Sequence, residues 1–430
     1  MGSHVINAPD GVDYWNATAG ADLARMMRLA GTPEKTQAGF NHFFATQLAP
    51  ALGGKPDGSG TQKGSVVGWD GSPFEYSFEF KESTKTADVR FVADVTKHRP
   101  LDAERPLSTA HGRAIIDYLA KHTPNFDSTW DRAVERNFNC EDLPTSVQQG
   151  LIDKLGFITP MILGFDIKPK MLDQFPDHPG GVAPVMLKSY YSPHYTVAHN
   201  SIEGGNWTAI LDSVHNLPDI HTSPNILTAL QCLVDYVADK PHYRAATRFM
   251  ATDFIAPGKA RLKIYMRYEG DNFDEIWDYY TLGGRIPGLE SDKEMLRSLI
   301  ELATGRYTTP PTGGDPARQA RILTKPVAFY FSLTPDKPYP TSKVYYPPAR
   351  KAPNDLVVAK GITEWLDKWE YNDGKIKLED WVQASLPHRK LEDKNGIFTF
   401  VAFGRKEGGT KIGTSLGVYF TPELYETPRL

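Results

Sequence analysis

The chain has 430 residues, of which 40% are hydrophobic and 23% are charged, a composition typical of a soluble globular protein with one large domain or two to three ordinary ones. Its formal net charge of -4 argues against a nucleic-acid-binding protein, which needs a basic surface. Two cysteines, Cys140 and Cys232, are too few for a disulfide framework or a cysteine-rich metal site, so a reducing compartment is expected.

Membrane and secretion signals are missing from the sequence. The N-terminal residues are polar and lack the apolar core of a signal peptide, and no run of about 18 apolar residues occurs that would span a bilayer. We therefore expect a cytoplasmic protein with no membrane partner and no nucleic-acid partner. Residues 1–4 could be left over from cloning, and we infer nothing from them.

Helical and strand-like segments alternate in pairs along the chain. Amphipathic patterns predict helices over residues 21–29, 33–48, 110–121, 147–154, 226–238, 274–280, 293–302, 356–369 and 378–384. Runs rich in β-branched and aromatic residues predict strands over residues 74–80, 89–95, 185–191, 252–255, 261–267, 327–333, 343–346, 398–403 and 414–420, and less clearly over 208–212.

This alternation predicts an α+β fold built from repeated ααββ units. Paired strands form antiparallel hairpins, and the helices between them must cover one face of the resulting sheet. The uncovered face carries polar side chains, which indicates a closed barrel with helices outside and a functional lumen. Two open sheets are the alternative, which periodicity alone does not exclude.

Three predicted strands each place a cation two residues before a tyrosine. Because alternate side chains of a strand share a face, each pair points to the same side. Cations on an inward face are costly unless an anion or water meets them, and a tyrosine adds a hydroxyl donor and a π face. The pattern favours a polyanion pocket over a solvated sheet face, and its members are Lys188 with Tyr190, Lys263 with Tyr265 after Arg261, and Lys343 with Tyr345.

Glu75 lies in the apolar and aromatic strand segment Phe74-Glu75-Tyr76. A buried glutamate either pairs with a cation or donor or takes up a proton. One N–H donor of a ligand would satisfy it. Arg90, on the next predicted strand, faces the same interior, so a structural ion pair between Glu75 and Arg90 is the alternative.

Several familiar catalytic motifs lack the structural context that they need. Gly413-Thr414-Ser415-Leu416-Gly417 matches G-x-S-x-G, but a strand follows the serine where a nucleophile elbow needs a helix. Asp271 and Asp274 give one Asp-x-x-Asp pair, yet they open a predicted surface helix, where Asp271 is more simply a turn residue or N-cap. Zincin, P-loop and Rossmann motifs are absent, and the histidines show no metal-ligand spacing, so we expect no metal.

Residues alone therefore support a polyanion site inside a β-rich barrel. An enzyme that acts on a polyanionic substrate would use such a site, and so would a non-catalytic barrel that binds phosphorylated or anionic lipids. A hydrolase that uses Ser415 is a third class.

Together, these residues resemble the fungal dimethylallyltryptophan synthase family of aromatic prenyltransferases over nearly the whole chain. The resemblance is most specific at Arg261-x-Lys263-x-Tyr265, Arg248, Lys188-x-Tyr190, and Pro338-Tyr339-Pro340 before Lys343-x-Tyr345. It implies a single aromatic prenyltransferase domain over residues 1–430, folded as a closed antiparallel ten-stranded barrel of ααββ units, the prenyltransferase barrel.

The resemblance also implies an activity and a division of roles. The activity is metal-independent transfer of an allylic prenyl group, dimethylallyl first and geranyl second, from its diphosphate to a carbon or nitrogen of an indole in secondary metabolism. No further cofactor is implied, and a homodimer is one assembly that it allows. Glu75 would accept a hydrogen bond from the indole N–H, Lys168 would remove the arenium proton, and Arg248 would hold a substrate carboxylate. The diphosphate would be bound by Arg90, Lys188, Arg261, Lys263 and Lys343, and a shield for the carbocation would be formed by Tyr190, Tyr265, Tyr345 and Tyr419.

Two positions depart from the family pattern. Phe400 falls where the family often has a tyrosine, and Ser192 falls where tryptophan-binding members tend to carry another. These differences weaken the case for free tryptophan as the acceptor. Tryptophan derivatives, cyclic dipeptides and indole alkaloids fit as well, and prenylation of a non-indole phenol is an alternative.

Overall fold

A closed antiparallel barrel forms the centre of the protein. The computed structural model describes residues 9–56, 65–81, 86–95, 105–175, 177–178, 181–311, 314–405, 413–426 and 429. The strands within these residues are β1 Phe74–Lys81, β2 Thr86–Ala93, β3 Met161–Ile167, β4 Val185–Tyr191, β5 Thr247–Asp253, β6 Leu262–Tyr268, β7 Val327–Leu333, β8 Thr341–Tyr346, β9 Phe398–Arg405 and β10 Thr414–Phe420. Each strand pairs with its neighbours in sequence, and β1 closes the ring against β10.

Helices fill the connections between the hairpins. Within the described residues they are α1 Pro9–Trp15, α2 Ala21–Leu29, α3 Glu34–Phe43, α4 Ala49–Leu52, α5 Ala110–His122, α6 Thr129–Phe138, α7 Thr145–Leu155, α8 Lys170–Gln174, α9 His194–Asn200, α10 Gly205–His215, α11 Pro224–Val237, α12 Pro241–Ala245, α13 Phe273–Thr281, α14 Asp292–Ala303, α15 Pro316–Leu323, α16 Asp355–Lys368 and α17 Leu378–Ser385. None of these helices is long and apolar enough to cross a bilayer.

The main hydrophobic core lies between the helices and the outer face of the barrel. Every second residue of a strand points outward, and Ile264 of β6 is fully buried there. The ring of Tyr279 on α13 lies 4.4 Å from that of Phe329 on β7, and the ring of Phe40 on α3 lies 5.7 Å from that of Phe91 on β2. Because the helices cover the apolar face, the polar side chains of the strands face the lumen.

The ten-stranded barrel predicted from the sequence is confirmed, and the alternative of two open sheets is wrong. The strand predicted at 208–212 is also wrong, because these residues belong to α10. The sequence does not predict β3, whose seven residues are all buried and therefore show no alternation of apolar and polar side chains. The predicted strand at 252–255 overlaps only the end of β5.

A buried carboxylate fixes the point at which β9 begins. Asp355, at the start of α16, accepts hydrogen bonds from the backbone N–H groups of Gly396, Ile397 and Phe398 at 3.1, 3.0 and 3.2 Å. The guanidinium of Arg389 donates to the same carboxylate at 2.6 Å. These contacts set the position of the lumen-facing residues that follow on β9.

We predict that Asp355→Asn destabilises the fold, because the amide cannot accept all of these bonds and Arg389 loses a buried charged partner. Breaking a buried ion pair typically costs about 3–5 kcal/mol of unfolding free energy. Urea denaturation followed by circular dichroism would measure the loss. Asp239→Asn is the matched control, because that side chain is 82% exposed and pairs only across the surface with Lys240. Equal unfolding free energies for Asp355→Asn and the parent would contradict the anchoring role.

Candidate active site

The lumen contains two adjoining cavities of opposite character. The first, called the cationic end, is lined by Glu79, Arg90, Asp166, Lys168, Lys188, Arg261, Lys263 and Lys343. The second, called the apolar chamber, is a cavity of about 170 Å³ lined by apolar groups that include Val66, Val67, Ile162, Phe249, Met266, Ala328 and Phe400. Polar side chains also face the apolar chamber, namely Glu75, Arg248, Arg267 and Lys325.

A belt of tyrosine rings stands between the two cavities. Tyr190, Tyr265, Tyr345 and Tyr419, the four tyrosines predicted from the sequence, line both cavities. A fifth ring, Tyr330 on β7, was not predicted and joins the belt. Successive ring centroids are 5.6, 5.5, 5.9 and 5.3 Å apart in the order Tyr190, Tyr265, Tyr330, Tyr345 and Tyr419.

Inward-facing glycines give these rings the space that they occupy. A Cβ built on Gly164 of β3 would lie 2.8 Å from the ring of Tyr190, and one built on Gly417 of β10 would lie 2.7 Å from the ring of Tyr419. Both distances are closer than van der Waals contact. The small residues therefore determine how far the tyrosines reach across the lumen.

Carboxylates hold the cations of the cationic end in place. Arg90 forms ion pairs with Glu79 and, at 3.5 Å, with Asp166. Lys343 donates to Glu79 at 3.2 Å, and Lys188 donates to Asp166 at 2.7 Å. The predicted alternative of a pair between Glu75 and Arg90 is therefore not what the structure shows: Arg90 pairs with carboxylates that the sequence analysis did not single out.

The same contacts keep these carboxylates ionised. Burial alone would raise the pKa of Glu79, but the charges of Arg90 and Lys343 lower it to about 2. Burial is likewise outweighed at Asp166, where Arg90 and Lys188 hold the pKa well below its usual range. Arg261, just before β6, donates to Asp253 at 2.5 Å and completes the predicted set of five cations around this end of the lumen.

Lys168 lies at the cationic end. Its Nζ is 3.8 Å from Asp166, and burial lowers its pKa although Asp166 opposes that change. Lys168 is not among the described residues that line the apolar chamber, whereas Glu75 is. The structure therefore brings Lys168 together with the cations and separates it from the predicted acceptor side.

Glu75 faces the apolar chamber from β1. Thr399 on β9 donates a hydrogen bond to its Oε1 at 2.6 Å. Burial raises the pKa of Glu75, while the charge of Lys325 and the bond from Thr399 act in the opposite direction. The carboxylate is thus available as a hydrogen-bond acceptor of higher basicity than one in water.

Lys325 lines the same chamber as Glu75, and the sequence analysis did not predict it. Its ammonium donates to the backbone carbonyls of Val66 and Val67 at 3.1 and 2.8 Å, and it lies 5.9 Å above the ring of Phe400. Burial lowers its pKa to about 8 even though Glu75 favours the charged form.

Two arginines occupy another part of the chamber wall. The predicted Arg248 and the unpredicted Arg267 both line the cavity. Burial and the neighbouring charge of Arg248 lower the pKa of Arg267 to about 10, and burial also lowers the pKa of Arg248. Like charges this close favour an anion between or beside them.

The departures noted in the sequence have clear positions. Phe400 lies edge-on to Tyr345 with centroids 5.9 Å apart, so this wall carries a ring without a hydroxyl. Ser192 is buried, and its Oγ is 2.5 Å from Nδ1 of His194. It is not among the described residues that line either cavity.

The apparent motifs form no catalytic site. Ser415 lies within β10, with further strand after it, so it is not on a nucleophile elbow. Asn272, rather than Asp271, caps α13 by accepting from the backbone N–H groups of Asp274 and Glu275, and Asp271 pairs with Lys351 at 2.8 Å. Over the described ranges, no group of three or more His, Cys, Asp or Glu side chains is arranged to hold a metal ion.

Comparison with known proteins gives matches along most of the chain. The family described as tryptophan dimethylallyltransferase matches residues 12–380. DMATS-type prenyltransferase mfmD of Annulohypoxylon moriforme is 50% identical over 99% of this chain and 95% of its own length. Prenyltransferase phnF of Penicillium herquei is 44% identical over 97% of this chain and 92% of its own. The 4-O-dimethylallyl-L-tyrosine synthase of Claviceps purpurea is 26% identical over 97% and 89%.

Solved structures share the fold. The structure of NotF in complex with brevianamide F and DMSPP superimposes with a TM-score of 0.77 at 19% identity, covering 98% of this chain and 97% of that one. AnaPT from Neosartorya fischeri gives a TM-score of 0.76 at 19% identity, covering 98% and 96%. The barrel is therefore the one found in these prenyltransferases.

We predict that Gly164→Ala disturbs the tyrosine belt, because the added methyl group and the ring of Tyr190 cannot occupy the same space. Overpacking of this kind typically costs about 1–3 kcal/mol of unfolding free energy. Urea denaturation would measure it, with Gly413→Ala as the control, since a Cβ built on Gly413 has no atom within 4 Å. An unfolding free energy and turnover equal to those of the parent would show that the belt does not depend on Gly164.

Proposed function

The chain belongs to the tryptophan dimethylallyltransferase family, and we propose that it transfers a dimethylallyl group from dimethylallyl diphosphate to an aromatic acceptor without a metal ion. It is an aromatic prenyltransferase, so the alternative of a non-catalytic lipid-binding barrel is set aside. The observation that carries the proposal is the order of groups along one lumen: cations at one end, an apolar chamber at the other, and between them the tyrosines and the buried Glu75, which line both cavities. We treat residues 1–430 as one domain for this activity.

The cationic end would bind the diphosphate and promote its departure. The C–O bond of the donor breaks, and its electron pair leaves with the diphosphate. Lysine and arginine charges fixed by Glu79 and Asp166 stabilise the negative charge that develops, which is the electrostatic contribution that usually dominates such sites. In the proposal, five basic side chains neutralise the diphosphate as a magnesium ion does in other prenyl-transfer enzymes. They are Arg90, Lys188, Arg261, Lys263 and Lys343.

The tyrosine belt would receive the allylic cation. Aromatic faces attract cations, and a packed ring of them excludes the water that would otherwise trap the intermediate. The predicted shield of four tyrosines gains Tyr330, whose ring also lies 5.0 Å from Nζ of Lys263. The prenyl carbon would thus be held where the diphosphate site and the acceptor chamber meet.

The acceptor would occupy the apolar chamber with an N–H or O–H group directed at Glu75. An indole is the first candidate acceptor, as a tryptophan derivative, cyclic dipeptide or indole alkaloid, and the structure of NotF in complex with brevianamide F supports it. A phenol is the second, and the cations that face the same chamber favour it, as does a relative named for a tyrosine product. We also propose that Arg248 binds a carboxylate of the acceptor and that Lys168 acts as the base for the arenium proton.

A direct assay tests the proposed transfer. The purified protein would be incubated with dimethylallyl diphosphate and with panels of indoles and phenols, with and without EDTA, and the products analysed by mass spectrometry. We expect addition of C5H8 to an acceptor at the same rate in EDTA. Loss of product in EDTA with recovery on added Mg²⁺ would contradict metal independence. If no product forms with any acceptor, with either dimethylallyl or geranyl diphosphate as the donor, the result would contradict the transfer itself.

Two substitutions should separate the acceptor side from the donor side. Glu75→Gln removes the charged acceptor, and we expect turnover to fall by a factor on the order of 10²–10³ while inorganic diphosphate still binds normally.

Lys263→Met should weaken binding of inorganic diphosphate, measured by isothermal titration calorimetry. Lys293→Met, on the exposed side of α14, is the control for loss of a lysine. Unchanged turnover in Glu75→Gln would contradict its role, and a collapsed melting transition in Lys263→Met would indicate a structural one.

A further inference from the structure

The apolar chamber carries more positive charge than a neutral acceptor requires. Three cations, Lys325, Arg248 and Arg267, face it together with one carboxylate, Glu75. Buried charges are costly unless a partner of opposite charge meets them. An indole offers one N–H for Glu75 and nothing for the cations.

Lys325 is the most informative of the three, because it lines the same cavity as Glu75, the group that would activate the acceptor, and its charge acts on that carboxylate. When the acceptor is a neutral N–H donor, an ammonium whose charge acts on Glu75 weakens the hydrogen bond to it, because the ammonium draws charge from the carboxylate that must accept the bond. Against a hydroxyl that loses its proton, the same ammonium stabilises the oxygen anion. The pair therefore suits an acidic O–H group better than an N–H group.

The position of Lys325 is set by the protein and not by Glu75 alone. Two N–H groups of the ammonium donate to Val66 and Val67, so in the described structure one of its three donors is left for a ligand. The ring of Phe400 supports the ammonium from one side. Because Phe400 has no hydroxyl, Lys325 supplies the polar group on this wall.

We infer that the acceptor is a phenol whose hydroxyl binds between Glu75 and Lys325 and reacts as the phenolate. The inference rests on the proposed prenyl transfer and names its acceptor class. Lys325 would be the residue that determines the preference for a phenol over an indole. Arg248 and Arg267 would add to the attraction for an acceptor that carries a second acidic oxygen.

The step balances with the groups present. The phenol proton moves to Glu75, and Lys325 stabilises the oxygen anion. The donor C–O bond breaks with its electron pair on the diphosphate, and a ring carbon next to the phenolate oxygen forms the new C–C bond. The resulting dienone gives its ring proton to an oxygen of the diphosphate at the cationic end, where Lys168 also lies, and regains a proton on oxygen from Glu75, which restores the aromatic phenol.

Matched acceptors test this inference on the intact protein. The probes would be 1-naphthol and indole as neutral bicyclic compounds, and 4-hydroxy-1-naphthoic acid and tryptophan as their carboxylate-bearing counterparts. We expect kcat/KM to be about tenfold or more higher for each naphthol than for its indole partner. In Lys325→Met we expect the naphthol values to fall on the order of 10²-fold and the indole values to change little, because only the phenolate uses the ammonium.

Controls separate selectivity from structure. Lys325→Arg keeps the charge and should retain the preference for naphthols, and Lys368→Met, whose ammonium lies over Trp369 outside the lumen, should change neither class. Higher kcat/KM for the indoles in the parent protein would overturn the inference and leave prenyl transfer standing. An equal loss for both classes in Lys325→Met would also overturn it, as expected if the lysine merely holds Val66 and Val67. No product with any acceptor would overturn the transfer and this inference together.

Discussion

The burial of several cations inside a closed barrel is the constraint on which the rest of the site depends. A lysine or arginine taken out of water is stable only where carboxylates or a ligand meet its charge. Glu79 contacts two cations and Asp166 contacts three, and both remain ionised for that reason. Cations nevertheless outnumber carboxylates among the residues that line this end of the lumen, and the proposed diphosphate would offset that excess of positive charge.

Polarity changes along the lumen in an order that suits a short-lived carbocation. Charge is concentrated at the cationic end, where the leaving group would bind in the proposal, and the surface becomes aromatic and then mostly apolar toward the proposed acceptor side. Gly164 and Gly417 allow the tyrosine rings to reach between these two environments. A single wide polar cavity would bind the donor equally well, but it would admit water to the cation.

Much of this arrangement could be predicted because strand periodicity is simple. On β6, alternation alone places Lys263 and Tyr265 on one face, and the same rule would have added Arg267 and, on β1, Glu79. Lys325 could not be found this way, because it precedes β7 and reaches the lumen through a loop. The fully buried β3 was missed because it lacks the alternation that distinguishes a half-buried strand, and residues 208–212 of α10 were wrongly predicted as a strand because a short apolar run fits either a strand or a buried helix.

Closure of the barrel brings the two halves of the chain together at the reacting groups. The hydrogen bond from Thr399 to Glu75 spans 324 positions, and the bond from Lys343 to Glu79 spans 264. Both depend on the seam where β1 meets β10, since Tyr419 of β10 stands directly across from Ser77 of β1. The family match ends at residue 380, before β9 and β10, yet these strands supply Thr399 and a tyrosine of the belt. The site is therefore complete only when the last two strands have closed the ring, which makes prenyl transfer itself a sensitive measure of barrel closure.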